Sequence, residues 1–289
     1  MIKKTHYMKK IIAAFDGLKY SQATTDYAIQ CATDSHAHLV GVFLDDMTHH
    51  TYKLYDVVHS EAGNLEKKIE RYRQEEVDLR KDATEKFEIS CRNACLNHSI
   101  HHDRNIALHD IIHESVYADM LVISGKETFT AFEEQLPTRF IKYLLTHLEC
   151  PLMVVPEKYR QIKKVVFLFD GEPSSVYAIK MFSYLFPNWG DIPVEVVTVK
   201  EADESMHLPD GRLMKEFLKR HYPQAVYTVI KGLPDIEIVN HVKNRNQDEL
   251  IVLGAYQRGK VSRLFKPSMV DVLMQDISLP LFIVKDRRL

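Results

Sequence analysis

Short, continuous apolar runs alternate with longer segments of helical periodicity along the whole chain. Four runs in the first half have counterparts in the same order in the second half: residues 11–15, 38–44, 120–123 and 152–155, then residues 165–169, 194–199, 250–253 and 281–284. A run that is apolar at successive positions predicts a strand buried on both faces, which is typical of a parallel sheet covered by helices. Because strand–helix–strand connections are right-handed, the pattern predicts doubly wound α/β domains.

Sequence matches between the two halves indicate an internal duplication. Residues 9–17 read KKIIAAFDG, and residues 163–171 read KKVVFLFDG. Later in each half, DMLVISG at residues 119–125 corresponds to DELIVLG at residues 248–254. Such matches in the same order are hard to obtain by chance. The chain of 289 residues is also long enough for two domains of about 150 residues each.

We predict a first domain over residues 1–158 and a second over residues 159–289. The halves differ in one segment, because residues 47–95 are long and rich in charge, whereas the second-half counterpart is much shorter. Leu65, Ile69 and the neighbouring apolar positions predict an amphipathic helix with a solvated face in this insertion. The helix is a candidate surface for a protein partner.

Charge and cysteine content narrow the classes of function. The chain has 38 Lys and Arg against 40 Asp and Glu, so its composition gives no basic face for nucleic-acid phosphates. The four cysteines all lie in the first half and do not form a disulfide framework. No apolar segment approaches the roughly 20 residues of a membrane helix, and the run at residues 11–15 is too short for a signal peptide. We therefore expect a cytoplasmic protein without membrane or nucleic-acid partners.

These motifs, in this order, resemble the universal stress proteins. The shared features are a strand ending in Asp-Gly, a helix, the segment D-x-L-I-V-L-G and a terminal P-L-x-I-V strand, and they occur twice here. The resemblance implies two tandem Rossmann-like domains of the adenine-nucleotide α-hydrolase type. It also implies a pseudo-dimer, in which the strand from Leu152 to Pro156 pairs with the strand from Leu281 to Lys285, since an unpaired edge strand is prone to association. A further homodimer of the whole chain stays open.

Nucleotide-binding members of that family carry a Gly-x2-Gly-x9-Gly-Ser/Thr loop after the fourth strand. Glycines there let backbone amides approach phosphate oxygens, and the following helix N-terminus adds a favourable field. In the second half, Gly254 and Ser268 occupy the first and last positions, whereas Gln257 and Pro267 replace the other two glycines. Proline has no N–H to donate. The resemblance therefore implies a degenerate nucleotide site.

Other residues near this loop complete the second-half site that the resemblance implies. Arg258 and Gly259 would partly compensate for the lost glycines, because arginine pairs directly with phosphate. Asp170 ends the first strand and Val199 ends the second, and ligands of open α/β sheets bind outside the carboxyl ends of strands. Alternatively, Asp170 only turns the chain with the glycine that follows it. ATP or AMP is the ligand that this site would take.

The first half departs further from the family pattern. Gly125 is retained, but Thr128 replaces the middle glycine, and acidic residues flank the loop. Acids beside a phosphate would repel it. The first-half counterpart site would consist of Asp16, Leu44, Gly125 and Thr138, and Asp16 has the same two interpretations as its second-half equivalent.

Catalysis and metal binding have little support in the sequence. His109 and His113 have the spacing of two zinc ligands on one helix face, but the sequence places no thiol or carboxylate partner beside them. A Walker loop, a hydrolase elbow and a dehydrogenase fingerprint are all missing, and no nucleophile has a base at a fixed spacing. We expect polar surface histidines and no catalytic residues.

The sequence therefore predicts a regulatory binding protein of the universal stress type, with a degenerate nucleotide site, no catalysis and an unidentified protein partner. Two alternatives stay open. One is an ATP- or AMP-binding sensor that uses the second-half site, and the other is a weak ATPase.

Overall fold

The structure is a computed structural model that describes residues 9–44, 65–103, 106–130, 132–201, 205–243, 245, 247–255 and 268–285. The first half runs as β1 (Lys10–Asp16), α1 (Gln22–Ser35), β2 (His38–Leu44), α2 (Leu65–Asn93), β3 (His98–Asp103), α3 (Ala107–Val116), β4 (Met120–Ser124), α4 (Arg139–His147) and β5 (Leu152–Val155). Strands and helices alternate as the apolar pattern predicts.

The second half repeats this order. It runs as β6 (Lys164–Leu168), α5 (Pro173–Leu185), a 3₁₀ turn (Pro187–Trp189), β7 (Val194–Lys200), α6 (Gly211–His221), β8 (Val226–Lys231), α7 (Pro234–Lys243), β9 (Glu249–Ala255), α8 (Met269–Asp276) and β10 (Leu281–Lys285). The boundary predicted after residue 158 falls between β5 and β6 and stays a prediction.

The ten strands of the described residues form a single sheet in the order β3-β2-β1-β4-β5-β10-β9-β6-β7-β8. Every neighbouring pair is parallel except β5 and β10, which pair antiparallel with Phe282 opposite Met153. The halves are therefore two doubly wound domains joined as a pseudo-dimer through their last strands, which confirms the predicted fold class. Pro156 lies just beyond β5, which ends at Val155.

Alternation of side chains along the joining strands builds two apolar layers. Met153 and Phe282 belong to the cluster on one face of the sheet, and Val154 and Ile283 belong to the cluster on the other face. Both clusters contain buried residues from both halves. Each fully buried aliphatic or aromatic side chain contributes about 1.5–3 kcal/mol to the free energy of unfolding. Because both apolar clusters extend across β5 and β10, this stabilisation comes from side chains of both halves packed together.

Polar contacts add to this interface between the halves. Lys9 Nζ, before β1, donates to the Tyr184 carbonyl oxygen at 2.9 Å, near the end of α5. On the other face, Gln275 Nε2 of α8 donates to the Leu136 carbonyl oxygen at 2.9 Å. The two domains are therefore held together on both faces of the sheet.

The helix predicted in the insertion is present as α2, and it divides into two parts. Ala83, Phe87 and Cys91 in its C-terminal part are buried, and a Cβ added at Gly41 of β2 would lie 2.7 Å from Phe87 Cε1. Residues of the N-terminal part are largely exposed, Tyr72 among them. The C-terminal part therefore packs one face against the core, whereas the N-terminal part is largely solvent-exposed. Residues 47–64 of the predicted insertion lie outside the described residues.

Candidate functional site

A cleft lies at the carboxyl ends of the second-half strands. Its volume is about 790 Å³, within the range of about 300–1,000 Å³ that is typical of small-molecule sites. Apolar side chains line part of it: Leu168, Val197, Val199, Ile238 and Leu253. Polar and charged residues form the rest of the lining. The predicted Val199 is therefore a cleft residue, at the point where β7 approaches its end.

Asp170 also lines this cleft and is exposed. Its Oδ1 accepts hydrogen bonds from the Glu172 amide at 2.9 Å and from Ser175 Oγ at 2.7 Å. Gly171 has a φ of 92°, a conformation that glycine adopts without strain. The carboxylate therefore orders the turn into α5, as the structural interpretation expects, and it is also open to a ligand.

Gly254 lines the cleft at the end of β9, but close packing alone requires a glycine there. A Cβ at this position would lie 2.6 Å from both the carbonyl carbon and the oxygen of Ser174, at the start of α5. Real side chains do not approach backbone this closely, so β9 and α5 can touch only because position 254 has no side chain. Its retention in the sequence is therefore explained without a phosphate.

Ser268 is the N-cap of α8 and takes part in a capping box. Its Oγ accepts from the Asp271 amide at 3.2 Å, and Asp271 Oδ2 accepts from the Ser268 amide at 2.9 Å. This arrangement satisfies two backbone donors that a phosphate would otherwise bind. Asp271 also brings a negative charge to the helix N-terminus, which is the position that the family pattern assigns to the phosphate. Arg258 and Gly259, with Gln257 and Pro267, lie outside the described residues.

Charge is unevenly distributed over the described lining of the cleft. The acidic lining residues all belong to the second half: Asp170, Glu172, Glu201, Asp235 and Asp271. The described basic lining residues are Lys142 and Lys285. Lys142 belongs to α4 of the first half, and Lys285 Nζ donates to the carbonyl oxygen of Thr146 in the same helix. Both described cations therefore lie along the wall that the first half contributes.

The corresponding residues of the first half are buried. Asp16 is 6% exposed, and its Oδ1 accepts from the Leu18 amide at 2.9 Å. Leu44 is a core residue, and its carbonyl oxygen accepts from the Gly17 amide at 3.0 Å. Gly125 donates its amide to the Val155 carbonyl oxygen at 2.9 Å. These residues end neighbouring strands as predicted, but they face protein and not an open cleft.

Glu127 closes the loop after β4. Its side chain is buried, and its Oε1 accepts from the amides of Thr128 at 3.0 Å and Phe129 at 3.1 Å. Burial first and the neighbouring Asp16 second raise the pKa of this carboxyl group, the two amide hydrogen bonds and Lys19 lower it, and the net result is a pKa of about 7. A carboxylate of the loop itself thus occupies backbone donors of the kind that a phosphate would use.

Phe129 fills the space beside this carboxylate. It is 3% exposed and lies 4.4 Å, centroid to centroid, from the ring of Phe140 in α4. It belongs to the same apolar cluster as Val42 and Leu44, at the ends of the first-half strands. Its φ of 51° costs a non-glycine residue on the order of 1 kcal/mol or more. The packing of the ring therefore holds the loop in an unfavourable backbone conformation.

Thr138 caps α4 and ties it to the closed loop. Its Oγ1 donates to the Glu127 carbonyl oxygen at 2.6 Å and accepts from the Ile141 amide at 3.2 Å. Lys19 Nζ donates to the Thr130 carbonyl oxygen at 2.5 Å, which joins the loop to the residues after β1. The hydroxyl group of Thr138, which the sequence predicts as a ligand contact, therefore uses both its donor and an acceptor position in hydrogen bonds within the protein.

Sequence reasoning counted Glu127 among the residues that flank the loop and did not single out Phe129 or Lys142. Glu127 and Phe129 fall at positions that the glycine motif leaves unspecified, so the motif gave no signal for the closed first half. No local signal marks Lys142, because it approaches the cleft from the other domain.

The described residues contain no group of three or more His, Cys, Asp or Glu side chains that could hold a metal ion. His109 and His113 lie on α3 as predicted, and the ring of His113 packs against Tyr117 with centroids 5.7 Å apart.

None of the helices within the described ranges is long and apolar enough to cross a membrane.

Comparisons with known proteins bear on the fold. No family model and no curated protein matches the sequence. A universal stress protein from Archaeoglobus fulgidus DSM 4304 matches with a TM-score of 0.68 and 13% identity, over 96% of this chain and 98% of its own. A functionally unknown protein from Pseudomonas aeruginosa PAO1 matches with a TM-score of 0.59 and 12% identity, over 97% of this chain and 93% of its own. The chain therefore has the fold of a tandem universal stress protein, as the sequence motifs imply.

Proposed function

We propose that this protein is a non-catalytic regulatory binding protein of the universal stress type, whose ligand site is the second-half cleft. The observation that carries the proposal is the contrast between the two clefts. Glu127 and Phe129 fill the first-half site from within, whereas the second-half cleft of about 790 Å³ is open and has an apolar part and a polar part. The first half then acts as a structural copy.

We propose adenosine carrying at most one phosphate as the ligand, so that AMP binds in preference to ATP. An adenine ring fits apolar lining such as Val199 and Leu253, and the exposed carboxylate of Asp170 can accept hydrogen bonds from ribose hydroxyls. A triphosphate would meet acidic side chains on several second-half elements, Asp271 at the α8 N-terminus included. Like charges within a few ångströms oppose binding.

We propose that the cleft does not catalyse hydrolysis. The hydroxyl of Ser175 donates to Asp170 Oδ1 at 2.7 Å and to the Glu172 carbonyl oxygen at 2.8 Å, and these contacts support a structural role for the Ser175–Asp170 pair in the turn into α5. A regulatory role in the cytoplasm agrees with the free thiols of the chain, since cytosolic thiols stay reduced.

Thermal unfolding with adenosine, AMP, ADP and ATP, with and without magnesium, tests the ligand. A ligand at 100 times its Kd stabilises the folded protein by about 2.7 kcal/mol. We expect stabilisation by AMP and adenosine that is lost in Asp170→Ala, whereas Asp16→Ala destabilises the protein without changing its response to ligand. If none of the four compounds raises the unfolding temperature, the proposal of a nucleotide ligand is wrong. Turnover of ATP above background would favour the ATPase alternative.

The exposed part of α2 is our proposed partner surface. Tyr72 and Leu79 are 48% and 49% exposed and lie seven positions apart, which is two turns of one helix face. The double variant Tyr72→Ser/Leu79→Ser should keep the unfolding temperature and lose the partner in cross-linking or, for a homodimer, in sedimentation. Ile89→Ser, at an exposed position in the packed part of α2, is the matched control.

A further inference from the structure

The second-half cleft has a wall that comes from the other domain. Lys142, Leu145 and Thr146, all on α4 of the first half, line the cleft together with second-half residues. Lys285 of β10 joins this wall, because its Nζ donates to the Thr146 carbonyl oxygen. The cleft is therefore completed only when the two halves pair through β5 and β10.

Lys142 is the cation of this wall that is available to a ligand. It is exposed, and its ammonium group makes no hydrogen bond or ion pair with another described residue. The nearby carboxylate of Glu134 is already bonded to the amide and the guanidinium group of Arg139, at 2.7 and 2.6 Å. Lys285 Nζ, in contrast, already donates one of its three N–H groups to the Thr146 carbonyl oxygen, which makes it the less free of the two cations.

The opposite end of the cleft is unsuited to an anion. Asp271 occupies the α8 N-terminus and accepts the Ser268 amide at 2.9 Å. An anion placed there would have to displace this carboxylate or lie beside it, and both cost free energy. The described charges thus favour an anion on the α4 side.

We propose that Lys142 binds the anionic group of the ligand in the second-half cleft, so that the first half supplies a specificity-determining residue to the site of the second. This inference rests on the proposed function, since it concerns the same cleft. It places the phosphate of a nucleoside monophosphate against α4 and away from the α8 N-terminus.

The closed loop of the first half positions this wall. Thr138 caps α4 and donates to the Glu127 carbonyl oxygen at 2.6 Å, and Phe140, two residues before Lys142 on the same helix, packs against Phe129. Residues that fill the first-half cleft therefore also hold the helix that presents the lysine. This arrangement gives the first half a use in binding even though its own cleft is filled.

Calorimetric titration of the full chain with adenosine and with AMP tests the inference, because the two ligands differ only in the phosphate. A hydrogen bond to a charged group changes affinity by about tenfold or more when it is lost. We expect AMP to bind wild type at least about tenfold more tightly than adenosine. In Lys142→Met the AMP affinity should fall to that of adenosine, while adenosine binds as in wild type, and Lys142→Arg should keep the preference for AMP.

Lys180→Met is the matched control, because Lys180 is exposed on α5, outside the cleft lining, and lies 5.8 Å from the Tyr184 ring centroid. If wild type binds AMP and adenosine equally, or if Lys142→Met behaves like Lys180→Met, the inference is wrong and the proposed function stands. If neither compound binds wild type, the proposed function fails and the inference fails with it. Unfolding temperatures of the variants check that each is folded.

Discussion

The two halves of this protein share one topology and differ in what occupies the carboxyl ends of their strands. In the first half a buried glutamate and a buried phenylalanine take that place, and Asp16 is buried with them. In the second half the corresponding Asp170 is exposed on an open cleft. Duplicated domains can thus divide their roles: one copy gives up its cleft and stabilises the pair, and the other keeps an accessible site.

The largest expected effect comes from removing the ring that fills the first-half cleft. Phe129→Ala should lower the free energy of unfolding by about 4 kcal/mol, because it leaves a cavity next to Phe140 and retains the unfavourable backbone conformation. Urea denaturation measures the change. Phe132→Ala is the control, since Phe132 is 72% exposed. Equal stability of the two variants would mean that the first half is not closed by this ring.

Gly125, just after β4, and Gly254, near the end of β9, should differ in their tolerance of a methyl group. Gly254→Ala should cost about 3 kcal/mol, because its Cβ would lie 2.6 Å from the backbone of Ser174. Gly125→Ala should cost less, about 1 kcal/mol, because the nearest atom to its Cβ, Val154 Cγ1 at 3.1 Å, belongs to a side chain that can shift. Urea denaturation of both variants compares them directly. Equal costs would contradict the packing explanation for Gly254.

The hydroxyl residues that cap α4 and α8 provide a smaller, matched comparison. Thr138→Ala should cost about 2 kcal/mol, because it removes the cap and also the 2.6 Å bond to the Glu127 carbonyl oxygen. Ser268→Ala removes only its part of a capping box and should cost about 1 kcal/mol. Thermal or urea unfolding measures both. The opposite order would show that the closed loop does not depend on Thr138.

The smallest effect concerns the pH dependence of stability. The folded pKa of Glu127, about 7, lies above its ordinary value because the carboxyl group is buried near Asp16. Because the pKa is raised on folding, the stability that the protonated Glu127 carboxyl group contributes is fully present below about pH 4.5 and is lost as pH rises through 7. Glu127→Gln keeps an acceptor for the two loop amides and removes the charge, so it should exceed wild type in stability by at least about 1 kcal/mol at pH 8.

Unfolding curves at pH 5 and pH 8 separate this effect from other titrating groups, because only the difference between variant and wild type is read. The difference should be small at pH 5 and should grow toward pH 8. A difference that does not change with pH would mean that Glu127 titrates near its ordinary pKa in the folded protein, and the loop would then have to be more open than described.

Much of the fold could be predicted from local pattern. Runs such as residues 38–44 and 281–284 are apolar at successive positions and form buried strands. The matched FDG segments, together with DMLVISG and DELIVLG, identified the duplication. The antiparallel pairing of β5 with β10 followed from the family resemblance and was confirmed. The helix α2 extends to Asn93, and the sequence did not show that its C-terminal part is buried, because Phe87 packs on Gly41 of a strand far away in sequence.

The candidate site was only partly predictable. Asp170, Val199, Gly254 and Ser268 do line one cleft, since strand ends and the loop after β9 meet at one edge of a parallel sheet. The packing and hydrogen bonds of these residues could not be predicted from the motif. The motif alone could not show that Gly254 is required by α5, or that Ser268 is engaged in a capping box, because both depend on a neighbour's position in space.

The sequence by itself determined the order and type of the four strands that the apolar runs of each half predict, and it determined the duplication, because apolar periodicity and repeated motifs are local properties of the chain. The tertiary structure alone decided which cleft is open and which residues form its walls. Burial of Glu127 and Phe129 depends on packing against α4 and on the buried Asp16. Lys142 reaches the second cleft only because β5 and β10 bring the halves together. Such contacts join residues that are distant along the chain, so no local pattern records them.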